Sequence, residues 1–413
     1  MPRSPPGREA LSTEAQELAA AETAEEEERK TSYLELFFDL VFVFAVTQVT
    51  FLVAHDPTAR GFAHGAIVFG LVWWAWSGYA WMTNAIDIER TETRLLMLAA
   101  AAGSFLLAIL LPGAFEDDGV RFVFAYLFVR VLNVGLYVRG LHGSEQEAAI
   151  RKLAPYFLVS PVIAVVGGFL DDEWRALIWI GSLAIDVAGA LRSSAWGFRV
   201  SPSHFAERYA LFVIIALGES VVAIGAAAAS LPRDTEFFFT VAISFGIVAV
   251  LWWSYFDFPA LAAARALRFA SPEQRGALAR DLFTFFHFPN VLGIIFVAVA
   301  AKKAIAHPSD PLSGGGRAAL ALGLVLFLSQ FVLGRFYFVR RLSVERLVGM
   351  AAIVVVAAAG GQVDALWLLA LTFAVLAATT VVEMRRLGQA RVQVRAGGPP
   401  VPDARSRLSR RSP

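Results

Sequence analysis

The chain has 413 residues, 57% of them hydrophobic and 17% charged, with a mean hydropathy of +0.60 and a formal net charge of +1. A soluble domain is nearer half apolar and a quarter charged, whereas the apolar residues here fall into repeated runs of roughly 20, enough to cross hydrocarbon about 30 Å thick as helix. The near-neutral charge gives no reason to expect nucleic acid, and a chain without Cys has no disulfide, thiolate metal site or cysteine nucleophile.

Residues 1–31 are an acidic segment with Glu25–Glu28 inside an Ala/Glu-rich run. A signal peptide needs a basic start and an apolar core, so this segment reads instead as a cytosolic polar helix or a disordered stretch. Apolar spans follow at 34–54, 62–84, 94–114, 120–140, 152–170 and 174–192, then at 207–229, 236–257, 282–302, 317–339, 345–361 and 364–383. Turn chemistry separates them, for example Asp56-Pro57, Pro112-Gly113 and Gly314–Gly316. The runs are too long and too little alternating for barrel strands. The fold expected is an all-α transmembrane bundle of about twelve spans.

Lys and Arg set the orientation. With the N-terminus inside, cytoplasmic segments hold about 27 basic residues and outer loops about 7. Both termini are therefore expected in the cytoplasm, with the chain in the cell (inner) membrane. The tail 385–413, rich in Arg, Pro and Gly, reads as disordered and attracted to anionic lipid.

The two sets of six look alike. Ser32–Gln48 aligns without gaps on Ser203–Glu219, placing Leu40 on Leu211, Ala45 on Ala216 and Gln48 on Glu219. Trp73-Trp74 pairs with Trp252-Trp253, and Tyr137–Arg139 resembles Tyr337–Arg340, which sets Arg130 opposite Gln330. The reading is a repeat of residues 32–192 and 193–384, parallel because each unit has an even number of spans.

Ionisable and polar residues inside spans are the functional candidates, because they are costly in hydrocarbon and need partners or a polar path. Glu35 and Asp39 lie four apart, on one face of the first helix; Gln48 points elsewhere. Arg208 and Glu219 share a stripe of the seventh span but lie roughly 16 Å apart along it, so Arg130 in the fourth span is taken as the counter-ion of Glu219. Asp186, Arg335, and the trio His287, Pro289 and Asn290 that interrupts the ninth span complete the set, with Gln330 as the neutral match of Arg130. His204 and Glu207, three apart, are the one acid/base pairing available to an enzyme; no established catalytic motif accompanies them, and no enzyme, metal or cofactor is expected.

Glu35–Gln48 (ELFFDLVFVFAVTQ), Trp73–Trp76 with Asn84 and Asp87, His204–Arg208 (HFAER), Leu217–Ser220 (LGES) and Leu251–Asp257 (LWWSYFD) together resemble the bacterial low temperature requirement A family of multi-pass membrane proteins. The resemblance implies an integral membrane protein linked to growth in the cold and names no substrate. Phe37-Phe38-Asp39 is also similar to the Phe-Ser-Asp signature of endolysosomal-type potassium channels. Phe38 replaces the Ser, however, and Tyr209-Ala210-Leu211 stands where the signature should recur, which argues against a potassium pore built from both halves. The function expected is a transporter or channel whose polar path passes Glu219, Arg130, Asp39 and Gln48, the alternative being a structural, envelope-adapting membrane protein. Its partners are the bilayer, an ion or small molecule, and in one arrangement a second copy.

Overall fold

A computed structural model describes residues 31–193, 200–229 and 231–397. The acidic segment up to residue 30, the connection around Arg199 and the tail from 398 onward lie outside these. Twenty-two of the twenty-four expected helix ends fall within about four residues of those observed, because Pro, Gly and Asp/Ser/Thr caps punctuate the runs. The first half comprises α1 (Tyr33–His55), α2 (Ala59–Ala85), α3 (Thr91–Leu110), α4 (Gly119–Gly140), α5 (Glu147–Gly168) and α6 (Asp172–Ser193). The second comprises α7 (Pro202–Ala228), α8 (Thr235–Phe256), α9 (Pro259–Phe269), α10 (Pro272–Ala279), α11 (Phe286–Ala306), α12 (Gly314–Val339), α13 (Val344–Ala359), α14 (Ala365–Arg386) and α15 (Gly388–Arg395). A π-helical turn, Arg280–Phe285, leads into α11.

Eleven helices among the described residues are long and apolar enough to cross a membrane. Their outward faces carry large apolar side chains, Phe37, Phe51, Phe128, Trp174, Phe238 and Trp367 all being about half exposed or more. So much uncovered apolar surface suits a lipid solvent and not water. The remaining long helix, α2, runs unbroken for 27 residues. Its apolar run is diluted by Trp, Tyr, Ser, Gly and Asn. Between Ile67 and Ala80 every residue is buried, as a helix surrounded by others requires.

Within each half the same helix pairs pack closely. The first helix lies against the second and third, the third against the fourth, the fourth against the fifth, the fifth against the sixth, and the sixth returns to the second. The seam between the halves is lopsided: α1 and α2 lie against α7 and α11. Burial is lopsided too. Trp73 and Trp74 are buried in α2, while their matches Trp252 and Trp253 are 43% and 44% exposed.

The central helix is α11, every residue of which is buried from Asn290 to Ala301. It meets α12 through Gly293 and Gly323, where the backbones approach so closely that a Cβ on Gly293 would stand 2.4 Å from the Gly323 carbonyl oxygen. Small residues allow such contact between helices in lipid.

One segment adds to the sequence reading and one differs from it. The stretch between α8 and α11 is two short helices, with Ala266 and Leu267 of α9 buried against the bundle. Residues 385–395, expected to be disordered, complete α14 and form α15, because Arg391 and Arg395 both reach the Asp257 carboxylate at the end of α8.

Candidate functional site

Three polar centres lie inside the bundle. The first ties α1 and α2 to α7. Ser32 and Glu35 form a capping box at the start of α1, and the Glu35 carboxylate also takes Arg208 Nη1 at 2.6 Å. Arg208 Nη2 donates to Asp39 Oδ1 at 2.7 Å, and Trp76 Nε1 donates to the same oxygen at 2.8 Å. Thr83 Oγ1 accepts from Arg208 Nη1 at 2.9 Å. Asn84 fixes the next layer: its Oδ1 accepts from the Ser201 N–H, which turns its amide NH2 toward His204 Nδ1 at 3.0 Å. That leaves Nε2 of His204 as the protonated nitrogen, donating to Glu35 at 3.2 Å. Glu35, Asp39, His204 and Arg208 are each at most 2% exposed. The four-residue spacing of Glu35 and Asp39 thus does what one helix face allows, presenting two carboxylates to one guanidinium fork.

The hydroxyl of Tyr209, one residue on, bridges Ser77 of α2 and Thr284 in the π turn, at 2.8 Å each. Trp81 and Trp73 donate to the hydroxyl and carbonyl of the same Thr284. The π turn is therefore held by α2 and α7, and π turns recur where helices carry function.

The second centre is sealed within the first half and corrects the sequence reading. Arg130 pairs with Asp186 of α6 at 2.6 Å, both side chains being fully buried, and not with Glu219. Its guanidinium also donates to the Trp74 and Phe157 carbonyls and stacks on the Phe157 ring, while Ser160 donates to Asp186 at 2.6 Å. The reason lies in the packing. The close neighbours of α4 are α2, α3 and α5, so its guanidinium finds a carboxylate in its own half. Glu219 of α7 faces Thr47 of α1 and lies in electrostatic reach of Lys302 of α11. One of its oxygens, Oε2, is buried without a hydrogen-bond partner. Gln48 is half-buried on α1. Glu207 is exposed and accepts from the Thr31 N–H, while both ring nitrogens of His204 are engaged by Asn84 and Glu35, so the two residues are not hydrogen-bonded as an acid/base pair.

The third centre is in the second half. His287 Nδ1 donates to the Leu282 carbonyl at 2.8 Å, closing the π turn, and Nε2 accepts from the Tyr255 hydroxyl at 2.7 Å. Gln330, the match of Arg130, lies 3.0 Å from the same ring. Asn290 donates to the Phe327 carbonyl of α12. His287 and Gln330 form the floor of a cavity of about 530 Å³ between α9, α11, α12, α13 and α14. Its walls include Arg335, bound to Glu345 at 2.6 Å, and Arg346, bound through two nitrogens to Glu383. A second cavity, about 580 Å³, lies at the other end of α11, lined by Lys302, Lys303, His55, His307 and Asp310. Of these residues the sequence reading singled out His287, Asn290, Gln330 and Arg335; Arg346, Glu383 and Lys302 sit near helix ends, where charge is ordinary, and carried no signal.

Nearly all the candidate residues thus lie buried between helices whose outer faces are apolar. That arrangement defines a polytopic α-helical membrane protein. The sequence profile of the bacterial low temperature requirement A protein (LtrA) matches residues 30–381. The chain belongs to the LtrA family. It is also 31% identical over 316 residues to an uncharacterized protein of Rhizobium meliloti (strain 1021), covering 73% of this chain and 76% of that one. No solved structure matches it.

Proposed function

We propose that this LtrA-family protein is a membrane transporter that handles its substrate at the two ends of α11. The observation that carries the reading is a single central helix with a charged cavity at each end and a closed apolar middle. His287 and Lys302 are fifteen residues apart on α11, about 22 Å along the axis, and Val291–Ala301 between them is buried throughout. Pro289 and the π turn interrupt the hydrogen-bond ladder at the inner cavity, and broken helices belong where a span lines a polar cavity. A closed middle favours alternating access over an open pore.

In this reading α2 is the twelfth span, both termini lie in the cytoplasm by the Lys/Arg bias, and the membrane is the cell (inner) membrane. The shared packing order of the two halves supports a repeated six-helix unit, while the lopsided seam makes the repeat one of units and not of the assembly. A structural reading without transport is favoured by one specific feature, the sealed Arg130–Asp186 pair, which touches neither cavity. The link to growth in the cold is carried by the family description alone.

The test is solute and ion flux in proteoliposomes, with wild type compared against His287→Ala and Glu219→Gln. Flux that falls in both variants while they stay monodisperse and folded supports transport. Flux equal to protein-free liposomes under every gradient, from folded wild type, removes it.

A further inference from the structure

The inner cavity contains two buried polar atoms that the fold leaves without partners. Arg346 uses Nε and Nη2 on Glu383, and its Nη1 makes no hydrogen bond although the side chain is only 1% exposed. Gln330 directs its amide nitrogen at the acceptor nitrogen of His287, Nε2, at 3.3 Å, and its Oε1 is buried and unmatched. Both residues line the cavity. A buried guanidinium edge without an acceptor is costly, and the cavity has room for one beside it. The surroundings say what that is. Glu345 matches Arg335 and Glu383 matches Arg346, which leaves Arg341 as added positive charge on the walls, and Phe286, Phe331 and Phe338 line the remainder. The Phe331 ring lies 3.8 Å under the Arg346 guanidinium, holding it in place.

We infer that the inner cavity is a binding site for an organic oxyanion with an apolar body, the carboxylate or phosphate head meeting Arg346 Nη1 and a donor on the body meeting Gln330 Oε1. The planar edge of Arg346 left free by Glu383 is the geometry that accepts an oxyanion. A cavity of about 530 Å³ is within the range for small-molecule sites. The inference deepens the transport reading, whose substrate it places in a class, and binding can be read without flux. The same chemistry is available from a soluble anion of the cytoplasm and from an anionic lipid headgroup.

The experiment is equilibrium binding to the full-length protein in phosphatidylcholine nanodiscs, with 3-phenylpropionate, its 4-hydroxy analogue and the neutral methyl ester as probes. The acids are expected to bind at least about tenfold more tightly than the ester, the worth of one charge-assisted hydrogen bond. Arg346→Lys keeps the charge opposite Glu383 but loses the free edge, and should weaken both acids about tenfold. Gln330→Met disturbs no ion pair and should abolish the preference for the 4-hydroxy acid; it keeps the site testable if Arg346→Lys does not fold. In nanodiscs containing phosphatidylglycerol, loss of acid binding assigns the site to a lipid headgroup and retention assigns it to a soluble anion. Acid and ester binding alike, or Gln330→Met and folded Arg346→Lys both behaving as wild type, overturns the oxyanion site. Flux without acid binding removes this site alone, and acid binding without flux removes transport alone.

Discussion

Asp186 holds the guanidinium of Arg130 at 2.6 Å in the interior of the first half, where neither side chain touches solvent. Removing one partner leaves the other charge buried and unmatched, which costs about 3–5 kcal/mol, whereas replacing both with apolar residues of similar volume is often neutral. Asp186→Asn and Arg130→Met should each lower the unfolding free energy in detergent by that amount, and the double variant Arg130→Met/Asp186→Leu should recover most of it. A double variant no more stable than either single one would mean that the pair does more than hold α4 and α6 together.

The close approach of α11 and α12 predicts a sharp dependence on one hydrogen atom. A Cβ at Gly293 would lie 2.4 Å from the Gly323 carbonyl oxygen and 2.6 Å from the Phe327 nitrogen, while Gly218 and Gly334 have nothing within 4 Å. Gly293→Ala meets backbone that cannot rotate away, so the helices must part, at about 1–3 kcal/mol or more. Gly218→Ala should be neutral or stabilising, since Ala is the better helix former by roughly 1 kcal/mol. Thermal unfolding of the two variants side by side reads the difference, and equal midpoints would contradict the packing described.

How much of this was legible in the sequence follows from what the physics makes local. The helices were readable because span length and caps are set within about 20 residues, and Glu35 and Asp39 could be placed on one face by the helical period alone. Their partner Arg208 was visible as a charge but not as their partner, since the pairing depends on how α7 docks on α1. The Arg130 assignment failed for the same reason: depth in the membrane can be counted along a helix, but the direction a side chain faces across a bundle cannot. The cavity residue Arg346 was hidden in a different way. Near a helix end an arginine is ordinary, and only the packing of α14 and the backbone around it shows that its head is buried.

Arg208 serves two carboxylates with its two terminal nitrogens, at 2.6 Å from Glu35 and 2.7 Å from Asp39. A lysine carries the same charge but not the fork. Arg208→Lys should therefore destabilise the protein, by about 1.5–3 kcal/mol for the charge-assisted bond it forfeits. Arg208→Met, leaving two buried carboxylates facing each other, should cost more. Denaturant titration of both variants checks the order; Lys equal to Arg would show that charge alone holds α1 to α7.

The side of the membrane reached by each loop tests whether α2 crosses it. Asp310, at the α11–α12 turn, and Glu89, just after α2, are both exposed. The Asp310 turn shares its face with the α1–α2 turn, since a Cβ on Gly315 would collide with the Pro57 carbonyl. If α2 spans, residues 310 and 89 lie on opposite sides; if it does not cross, they lie on the same side. The chain has no Cys, so Asp310→Cys and Glu89→Cys each introduce a single thiol on a clean background. An impermeant maleimide added to intact cells should label Cys at 310 and spare the one at 89, which becomes reactive only when the membrane is opened. Labelling of both from outside would remove α2 as a span, and labelling of 89 alone would invert the orientation that the Lys and Arg residues favour.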